Sequence, residues 1–353
     1  MNIPVLDTPV VLVDLDIVEA NIKRAQQKIT SQGMAFRPHI KTHKIPAIGK
    51  MQIDAGAVGL TCQKLGEAEV FAESGVTDDI LLTFNIVGES KAARLAALTR
   101  KLKRMTVVLD NEVVARGLSE AGVKHDVDMR FMVECDTGFG RNGVQSPQAA
   151  LDLVKMVMSM PRMKFAGLMT FPLKAPDTAN FLSAAIDLFA KAGIDLPSVS
   201  GGGTPAMLDI EKFPMLTEHR AGTYVYNDAM MVAAGAAEWK DCALTVRATV
   251  VSRPTPTRVI LDAGSKILTY EQYYAKGYGR IVEYPDAQVV ALSEEHGMVD
   301  LPAGSTKQPQ IGEIVHIIPN HCCVVTNMVD SVVTTRKGQI EAVVPVAARG
   351  LVR

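Results

Sequence analysis

The segment Met34-Ala35-Phe36-Arg37-Pro38-His39-Ile40-Lys41 is the first of a series of short apolar runs that alternate with stretches of helical period. The runs that follow it are Ala57–Cys62, Asp79–Phe84, Met105–Leu109, Asp128–Cys135, Lys164–Phe171, Leu196–Ser200 and Glu218–Tyr226. Helical stretches lie between most of them: Lys64–Ser74, Glu89–Lys103, Asn111–Ala121, Pro147–Met160 and Asp177–Ala192. Eight strands with intervening helices over about 195 residues predict a (β/α)8 TIM-type barrel.

A doubly wound sheet shares this alternation and is the main alternative fold. No GxGxxG motif opens a helix after the first strand, which argues against a dinucleotide-binding fold of that kind. We therefore predict an α/β protein whose barrel spans residues 10–235.

The pattern changes after about residue 236, where helical period almost disappears and Gly, Pro and Asp turns separate short runs. These runs are Leu244–Ser252, Arg258–Leu261, Gln288–Leu292, Glu313–Ile318, Cys322–Thr326, Ser331–Thr335 and Ile340–Val346. They predict a C-terminal all-β domain over residues 236–353. The N-terminal residues 1–16 are not needed by the barrel and are available to pair with this domain.

Composition excludes several classes of function. The chain has 353 residues, 48% hydrophobic and 21% charged, with a formal net charge of −1, so no global field favours nucleic acid or an anionic membrane. No apolar run is long enough to span a bilayer, and Met1–Asp7 does not resemble a secretory signal. The five scattered cysteines indicate reduced thiols in a cytoplasm.

The end of the first predicted strand carries a cluster of cations. In an extended strand Arg37, His39 and Lys41 share one face, which here would point into the barrel. Such a cluster is costly without an anionic partner, and a phosphorylated aldehyde cofactor would supply one. Lys41 is then a candidate Schiff-base lysine. The structural alternative is a solvated basic turn with one satisfied histidine.

Glycines at the end of the seventh predicted strand suggest a phosphate site. The segment Ser200–Thr204 contains three consecutive glycines, whose amides can turn inward onto phosphate oxygens. A triple glycine alone equally fits a simple turn. Together with Lys41 it indicates pyridoxal phosphate as the cofactor. On another turn, Gly138–Gly143, Arg141 could donate to the cofactor or to a substrate carboxylate.

A His-x-Cys pair late in the chain is a candidate metal site. If Pro319–Cys323 is extended, His321 and Cys323 lie on one face and can share a divalent ion, leaving positions open for water and substrate. His296 could add a third contact. The alternative is a buried histidine beside two small apolar cysteines.

These motifs, in this order, resemble the D-threonine aldolase and D-serine dehydratase family. These fold-type III pyridoxal-phosphate enzymes join an alanine-racemase-like barrel to a β domain with a divalent metal site. The resemblance runs nearly end to end, through Asp7-Thr8-Pro9, Arg37–Lys44, Cys62-Gln63-Lys64, Gly138–Val144, Ser200–Pro205, Ala221–Asp228, Leu261–Gly264, Ser293–Gly297, Pro319–Cys323 and Ala348-Arg349-Gly350.

The resemblance implies that Lys41 binds the cofactor covalently, that Gly202, Gly203 and Thr204 hold its phosphate, and that His321 and Cys323 bind the metal. The residues expected to take part in catalysis are Lys41, His43 and Arg141. The residues expected to contact the cofactor are Lys41, His39, Gln63, Arg141, Thr170, Gly202, Gly203, Thr204 and Tyr224.

The implied activity is retro-aldol cleavage of β-hydroxy-D-amino acids to glycine and an aldehyde, with manganese or zinc, or magnesium as a further candidate. The alternatives are a D-serine or D-3-hydroxyaspartate dehydratase and, less favoured, an amino-acid racemase or a non-catalytic pyridoxal-phosphate-binding protein. By this resemblance, the family's aldolases carry a His-x-Asp metal pair, whereas the pair of His321 and Cys323 is similar to that of the dehydratases. Met169–Pro172 also replaces a histidine-containing turn. A homodimer is implied by analogy.

Overall fold

The computed structural model describes residues 6–353, which separate into two compact units. The first unit consists of residues 24–41, 46–222 and 351–353, and the second of residues 6–23, 42–45 and 223–350. Residues 1–5 of the N-terminal stretch available for pairing lie outside the described residues. A domain boundary after residue 235 stays a prediction.

Helices and strands alternate through the first unit, and strands dominate the second. The helices within residues 6–353 are α1 (Leu15–Thr30), α2 (Pro46–Asp54), α3 (Leu65–Ser74), α4 (Glu89–Lys101), α5 (Glu112–His125), α6 (Pro147–Met158), α7 (Asp177–Lys191), α8 (Ala229–Ala233) and α9 (Cys322–Met328). The strands are β1 (Val10–Asp14), β2 (Ala35–Phe36), β3 (Leu60–Cys62), β4 (Asp79–Leu82), β5 (Arg104–Leu109), β6 (Met129–Cys135), β7 (Met163–Thr170), β8 (Val199–Gly202), β9 (Glu218–Arg220), β10 (Leu244–Thr255), β11 (Arg258–Leu261), β12 (Arg280–Ile281), β13 (Gln288–Leu292), β14 (Gly297–Asp300), β15 (Ile314–Ile318), β16 (Ser331–Arg336) and β17 (Gln339–Pro345).

The first unit is built on a parallel sheet. Among the described residues it has eight strands in the order β2-β9-β8-β7-β6-β5-β4-β3, and a bridge between His39 and Thr61 links its two ends. Every residue of β4 and β8 is buried, as expected for strands covered on both faces. Side-chain caps from Asn111 and Ser146 start α5 and α6. The predicted fold class, a barrel of parallel strands with a C-terminal β domain, is confirmed.

The first strand is much shorter than the predicted Met34–Lys41. It ends at Phe36, and residues Ile40–Thr42 form a 3-10 turn. Pro38 has no amide hydrogen for a ladder. Arg37 is 6% exposed and pairs at 2.7 Å with both Asp79 and Glu218. The anionic partners of Arg37 are therefore protein carboxylates, whereas the sequence suggested a phosphorylated cofactor as the anionic partner of this cluster.

The second unit is built on a mostly antiparallel sheet. Over residues 6–353 it has nine strands, with the main path β13-β14-β11-β10-β1-β16-β17, while β15 pairs with β10 and β12 pairs with β15. Strand β1 lies between two strands from the end of the chain: it pairs antiparallel with β10 and parallel with β16.

Residues 322–326 are helical, and the predicted strand Cys322–Thr326 is wrong. They belong to α9, whose first amide, from Cys322, donates to Asp228 Oδ2 at 3.0 Å. This buried carboxylate starts a helix in a sequence whose β-branched residues favour a strand.

None of the helices found in residues 6–353 combines the length and the apolar character that crossing a membrane requires.

Candidate active site

A chain of hydrogen bonds holds the turn that carries Lys41. The Lys41 amide donates to His39 Nδ1 at 3.3 Å, so the other ring nitrogen of His39 carries the proton and donates to Gln63 Oε1 at 3.1 Å. Gln63 in turn donates to the carbonyl of Thr83 at 2.8 Å. The Lys41 ammonium makes no hydrogen bond or ion pair with any residue between 6 and 353. Three of the predicted cofactor residues are thus brought together, with the lysine amine available.

His43 lies in a different environment from Lys41. Its side chain is fully buried, and its Nδ1 lies 3.1 Å from both the amide nitrogen and the carbonyl oxygen of Ile45. These contacts give His43 a role in shaping the turn. A catalytic role for His43 stays a prediction.

The glycine-rich turn after β8 is too crowded for side chains. Gly202 has a φ of 142°, and a Cβ added there would lie 2.2 Å from the carbonyl oxygen of Arg220. Gly203 also has a φ of 142°, and its Cβ would meet the ring of Phe171 at 3.2 Å. Only glycine tolerates a backbone with this positive φ that also packs so closely against its neighbours. Thr204, the next residue, is only 5% exposed.

Asp136 organises the loop that presents Arg141. Its Oδ1 accepts the amides of Gly138, Phe139 and Gly140, which outweigh burial and lower the pKa of Asp136. The Arg141 guanidinium is half-exposed, lies 5.3 Å from the Phe171 ring centre and reaches Glu134 Oε1 at 3.5 Å. Arg141 therefore stands at the carboxyl end of the parallel sheet, where barrel enzymes carry their chemistry.

Arg220 is a buried cation that sequence reasoning missed. It donates to Ser200 Oγ at 3.0 Å and to the Thr170 carbonyl at 2.7 Å. Burial, opposed by Glu218 and Glu134, lowers the pKa of Arg220 to about 10. The signal in the sequence was the charged alternation Glu218-His219-Arg220, which places Glu218 and Arg220 on one face of a strand.

Two neighbours of Arg220 differ in how well their polar groups are satisfied. The Thr170 hydroxyl is fully buried and bonded to Thr137 at 2.9 Å and to the Cys135 carbonyl at 3.0 Å. Glu134 Oε2 is buried and has no hydrogen-bond partner in the described part of the chain, and burial raises the pKa of Glu134. The Glu134 oxygen is an unmet polar group at the carboxyl end of β6.

The second unit holds the predicted metal pair at the start of α9. His321 hydrogen-bonds with Cys323 and, through Nδ1, with Glu271 Oε2. Although burial opposes it, these two contacts and the charge of Asp228 raise the pKa of His321 to about 10. The Cys323 thiol donates to Thr42 Oγ1 at 3.2 Å. Thr42 directly follows Lys41 in the chain.

His321 and Cys323 lie close together even though the segment is not extended, because His321 directly precedes α9 and Cys323 lies in its first turn. Between residues 6 and 353 no three His, Cys, Asp or Glu side chains are arranged to hold a metal ion. Nearby, the Tyr226 hydroxyl is buried without a hydrogen-bond partner among the described residues. Tyr224 is 3% exposed, whereas His296 lies on an exposed turn with Ser293.

Comparison with known proteins identifies the family. The family profile "Alanine racemase, N-terminal domain" matches residues 13–229, and "Putative serine dehydratase domain" matches residues 243–335. A D-threonine aldolase of Arthrobacter sp. is 32% identical over 366 residues, which cover 99% of this chain and 94% of that protein. The chain belongs to the D-threonine aldolase and D-serine dehydratase family.

Other members of the D-threonine aldolase and D-serine dehydratase family include both aldolases and dehydratases. The 3-hydroxy-D-aspartate aldolase of Paracoccus denitrificans (strain Pd 1222) is 30% identical, covering 98% of this chain and 92% of that protein. The D-threo-3-hydroxyaspartate dehydratase of Delftia sp. (strain HT23) is 29% identical, covering 90% and 91%.

Solved structures of this family match over nearly the whole chain. The crystal structure of D-threonine aldolase from Filomicrobium marinum has a TM-score of 0.90 at 29% identity and covers 99% of this chain and 97% of that one. A mutant of the D-threo-3-hydroxyaspartate dehydratase in the metal-free form has a TM-score of 0.85 at 26% identity, covering 96% and 97%. The predicted family and the enzyme class, a pyridoxal-phosphate-dependent lyase, are confirmed.

Proposed function

We propose that this protein is a pyridoxal-phosphate- and divalent-metal-dependent lyase of the D-threonine aldolase type, which cleaves β-hydroxy-D-amino acids to glycine and an aldehyde. The full-length similarity to two aldolases supports the reaction class. One observation carries the metal-dependent part of the proposal: His321 and Cys323 are hydrogen-bonded to each other, and Cys323 contacts Thr42, the residue after Lys41.

The residues of the first unit fit pyridoxal phosphate. Lys41 offers an amine that no other group in the described chain engages. Gly202 and Gly203 leave bare backbone where any side chain would clash, which suits a bound phosphate group. The unpaired oxygen of Glu134 and the buried Arg220 provide further polar contacts at the same end of the sheet.

Pyridoxal phosphate, when bound, supplies an electron-accepting ring that stabilises negative charge at the α-carbon of an amino acid. Lys41 would hold the cofactor through its amine and then move a proton at the α-carbon of the substrate. His39 and Gln63 would keep the Lys41 turn in place through their hydrogen bonds. Arg141, half-exposed on its loop, would bind the substrate carboxylate.

The residues of the second unit fit a divalent ion. A metal-bound histidine usually donates its other ring N–H to a carboxylate, and Glu271 is placed to accept it from His321. An imidazole and a thiolate leave other coordination positions to water and substrate, so a bound ion would act as a Lewis acid on the β-hydroxyl group. His321 and Cys323 would hold the ion, and Glu271 would orient His321.

The second candidate function is a dehydratase. The thiolate of Cys323 favours it, because the sequence resemblance associates a His-x-Cys pair with dehydratases and because thiolate suits zinc. In that reaction Lys41 would remove the α-proton and the β-hydroxyl would leave as water, and the dehydrated product would take up one water to give a 2-oxo acid and ammonia. In the aldolase reaction a base takes the hydroxyl proton and the Cα–Cβ bond breaks.

Product analysis distinguishes the two reactions. In the presence of manganese or zinc, we expect glycine and an aldehyde from D-threonine and from D-3-hydroxyaspartate. D-serine is tested as a third substrate. A chelator should reduce turnover by about 10³-fold, because a Lewis acid contributes several kcal/mol to the barrier. The measurement is chromatographic quantification of glycine, aldehyde, 2-oxo acid and ammonia.

A 2-oxo acid with stoichiometric ammonia would replace the aldolase proposal with the dehydratase. Turnover that persists at full rate in chelator, with no metal in the protein by mass spectrometry, would contradict the metal proposal for either reaction. Interconversion of D- and L-amino acids without cleavage would favour a racemase.

We also propose a homodimer. The side chains of Tyr270, Tyr273 and Tyr274 are 58%, 72% and 71% exposed, and exposed aromatic side chains are enriched in subunit contacts. Light scattering should give twice the mass of one chain, and a mass equal to one chain would contradict the dimer. We also propose the cytoplasmic location that the sequence predicts, because none of the five cysteines, all within residues 6–353, forms a disulfide; cell fractionation tests it.

A further inference from the structure

The amino end of the parallel sheet carries cations above a buried apolar layer. Arg104 shares one face of β5 with Val108, and Arg130 shares one face of β6 with Met132. Val108 and Met132 belong to a buried cluster with Leu81, Ala166 and Met169. Both arginines therefore stand on the amino side of this cluster, whereas Glu134 lies towards the carboxyl end of β6.

These arginines line two adjoining cavities. One has a volume of about 390 Å³ and includes Arg37, Arg104, Arg130 and Glu218 in its lining. The other, of about 950 Å³, shares Arg104 and Arg130 and adds Lys103 and Lys164. Volumes of a few hundred Å³ are typical of sites for small molecules.

Of the cations of this surface, Arg130 and Lys103 form no ion pair with a residue between 6 and 353, and Arg130 is the more buried of the two. Asp79 and Glu218 pair with Arg37, Asp79 also pairs with Arg104 at 2.9 Å, and Asp128 lies 3.8 Å from Lys164. Asp195 is the remaining carboxylate that lines the larger cavity. Arg130 makes no ion pair with any residue between 6 and 353, and its Nε is buried without a hydrogen-bond partner.

The surroundings of Arg130 destabilise its charged guanidinium as long as no acceptor reaches it. Burial, followed by the positive charge of Arg104, lowers the pKa of Arg130. A partly buried guanidinium with an unsatisfied N–H is destabilising unless an acceptor reaches it. Oxyanions are the groups that the planar guanidinium binds in two parallel hydrogen bonds.

We propose that the space formed by these two adjoining cavities binds a small oxyanion, a phosphate or a carboxylate, through Arg130. Arg104 and Lys103 add to the positive field there. The site is distinct from the candidate active site. Arg130 and Cys135 are five residues apart on β6, which corresponds to roughly 16 Å along an extended strand. The proposal does not depend on which reaction the enzyme catalyses.

Calorimetric titration of the cofactor-loaded protein tests the site, since the cofactor then fills its own phosphate cradle. The probes are inorganic phosphate and malonate, titrated at constant ionic strength so that screening does not change. We expect saturable binding of at least one of them and a Kd at least tenfold higher in Arg130→Met. The control Arg116→Met removes an exposed arginine paired with Glu112 and should bind as the wild type does.

A second variant separates binding from folding. Arg130→Lys keeps the charge and loses the paired N–H groups, so we expect intermediate affinity. Binding by phosphate alone, or by malonate alone, identifies the chemical source of the oxyanion. The proposal is overturned by equal affinities in the wild type and Arg130→Met, by the absence of saturable binding, or by an Arg130→Met protein that fails to fold while Arg130→Lys folds and binds neither anion.

Discussion

Replacing Lys41 by methionine should abolish turnover, with a decrease of about 10⁴-fold or more, and should remove the covalent attachment of the cofactor. The Lys41 ammonium makes no hydrogen bond with another residue between 6 and 353, so the substitution removes the reactive amine without breaking a side-chain hydrogen bond of the fold. We therefore expect the free energy of unfolding to change by less than about 1 kcal/mol. The measurements are steady-state kinetics and the visible absorbance of the bound cofactor.

The matched control for this prediction is Lys50→Met, which removes an exposed lysine paired with Asp54 on α2. Exposed pairs of this kind contribute about 0–1 kcal/mol, so turnover and absorbance should both be unchanged. If Lys41→Met kept the cofactor absorbance and the wild-type rate, another residue would have to hold the cofactor, and the assignment of Lys41 would fail.

Removing the imidazole of His321 should reduce turnover by about 10³-fold and eliminate the bound divalent ion. Cys323→Asp should retain activity while changing the metal preference, because a carboxylate favours manganese over zinc more than a thiolate does. We expect the ratio of manganese-supported to zinc-supported activity to rise at least tenfold in Cys323→Asp. Metal content by mass spectrometry and the two activities provide the test.

Cys242→Ala serves as the control, since it removes a buried thiol of the same unit at a distance in sequence from His321. It should change neither metal content nor metal preference. Stoichiometric metal in His321→Ala together with unchanged kinetics would show that His321 and Cys323 are structural, as in the alternative of a buried histidine beside two apolar cysteines.

Much of the parallel sheet could be predicted because its strands are buried on both faces and therefore appear as continuous apolar runs. The prediction Met105–Leu109 is within one residue of β5, and Asp79–Phe84 extends only two residues beyond β4. The first strand was predicted too long because its alternation was given more weight than Pro38, which lacks an amide hydrogen. Local sequence also does not show that Arg37 has carboxylate partners far along the chain.

Helix α9 could not be predicted from local sequence. Its residues Cys322 to Thr326 have β-branched character, and the carboxylate that starts it, Asp228, is 94 residues away in the chain. The same limit applied to Arg220, whose partners Thr170 and Ser200 come from other strands. By contrast, the sequence placed both His39 and Gln63 at strand ends, and the structure joins them by a hydrogen bond that the sequence did not predict.

The place of β1 between β10 and β16 has a consequence for synthesis on the ribosome. Strand β1 is complete after residue 14, but its partner β16 ends at residue 336, about 320 residues later. At about 5–20 residues per second, the apolar segment Val10–Asp14 waits on the order of 15–60 s without its final neighbours. An unpaired strand edge is prone to associate with other chains, so the nascent protein has a long interval in which holding chaperones improve its yield.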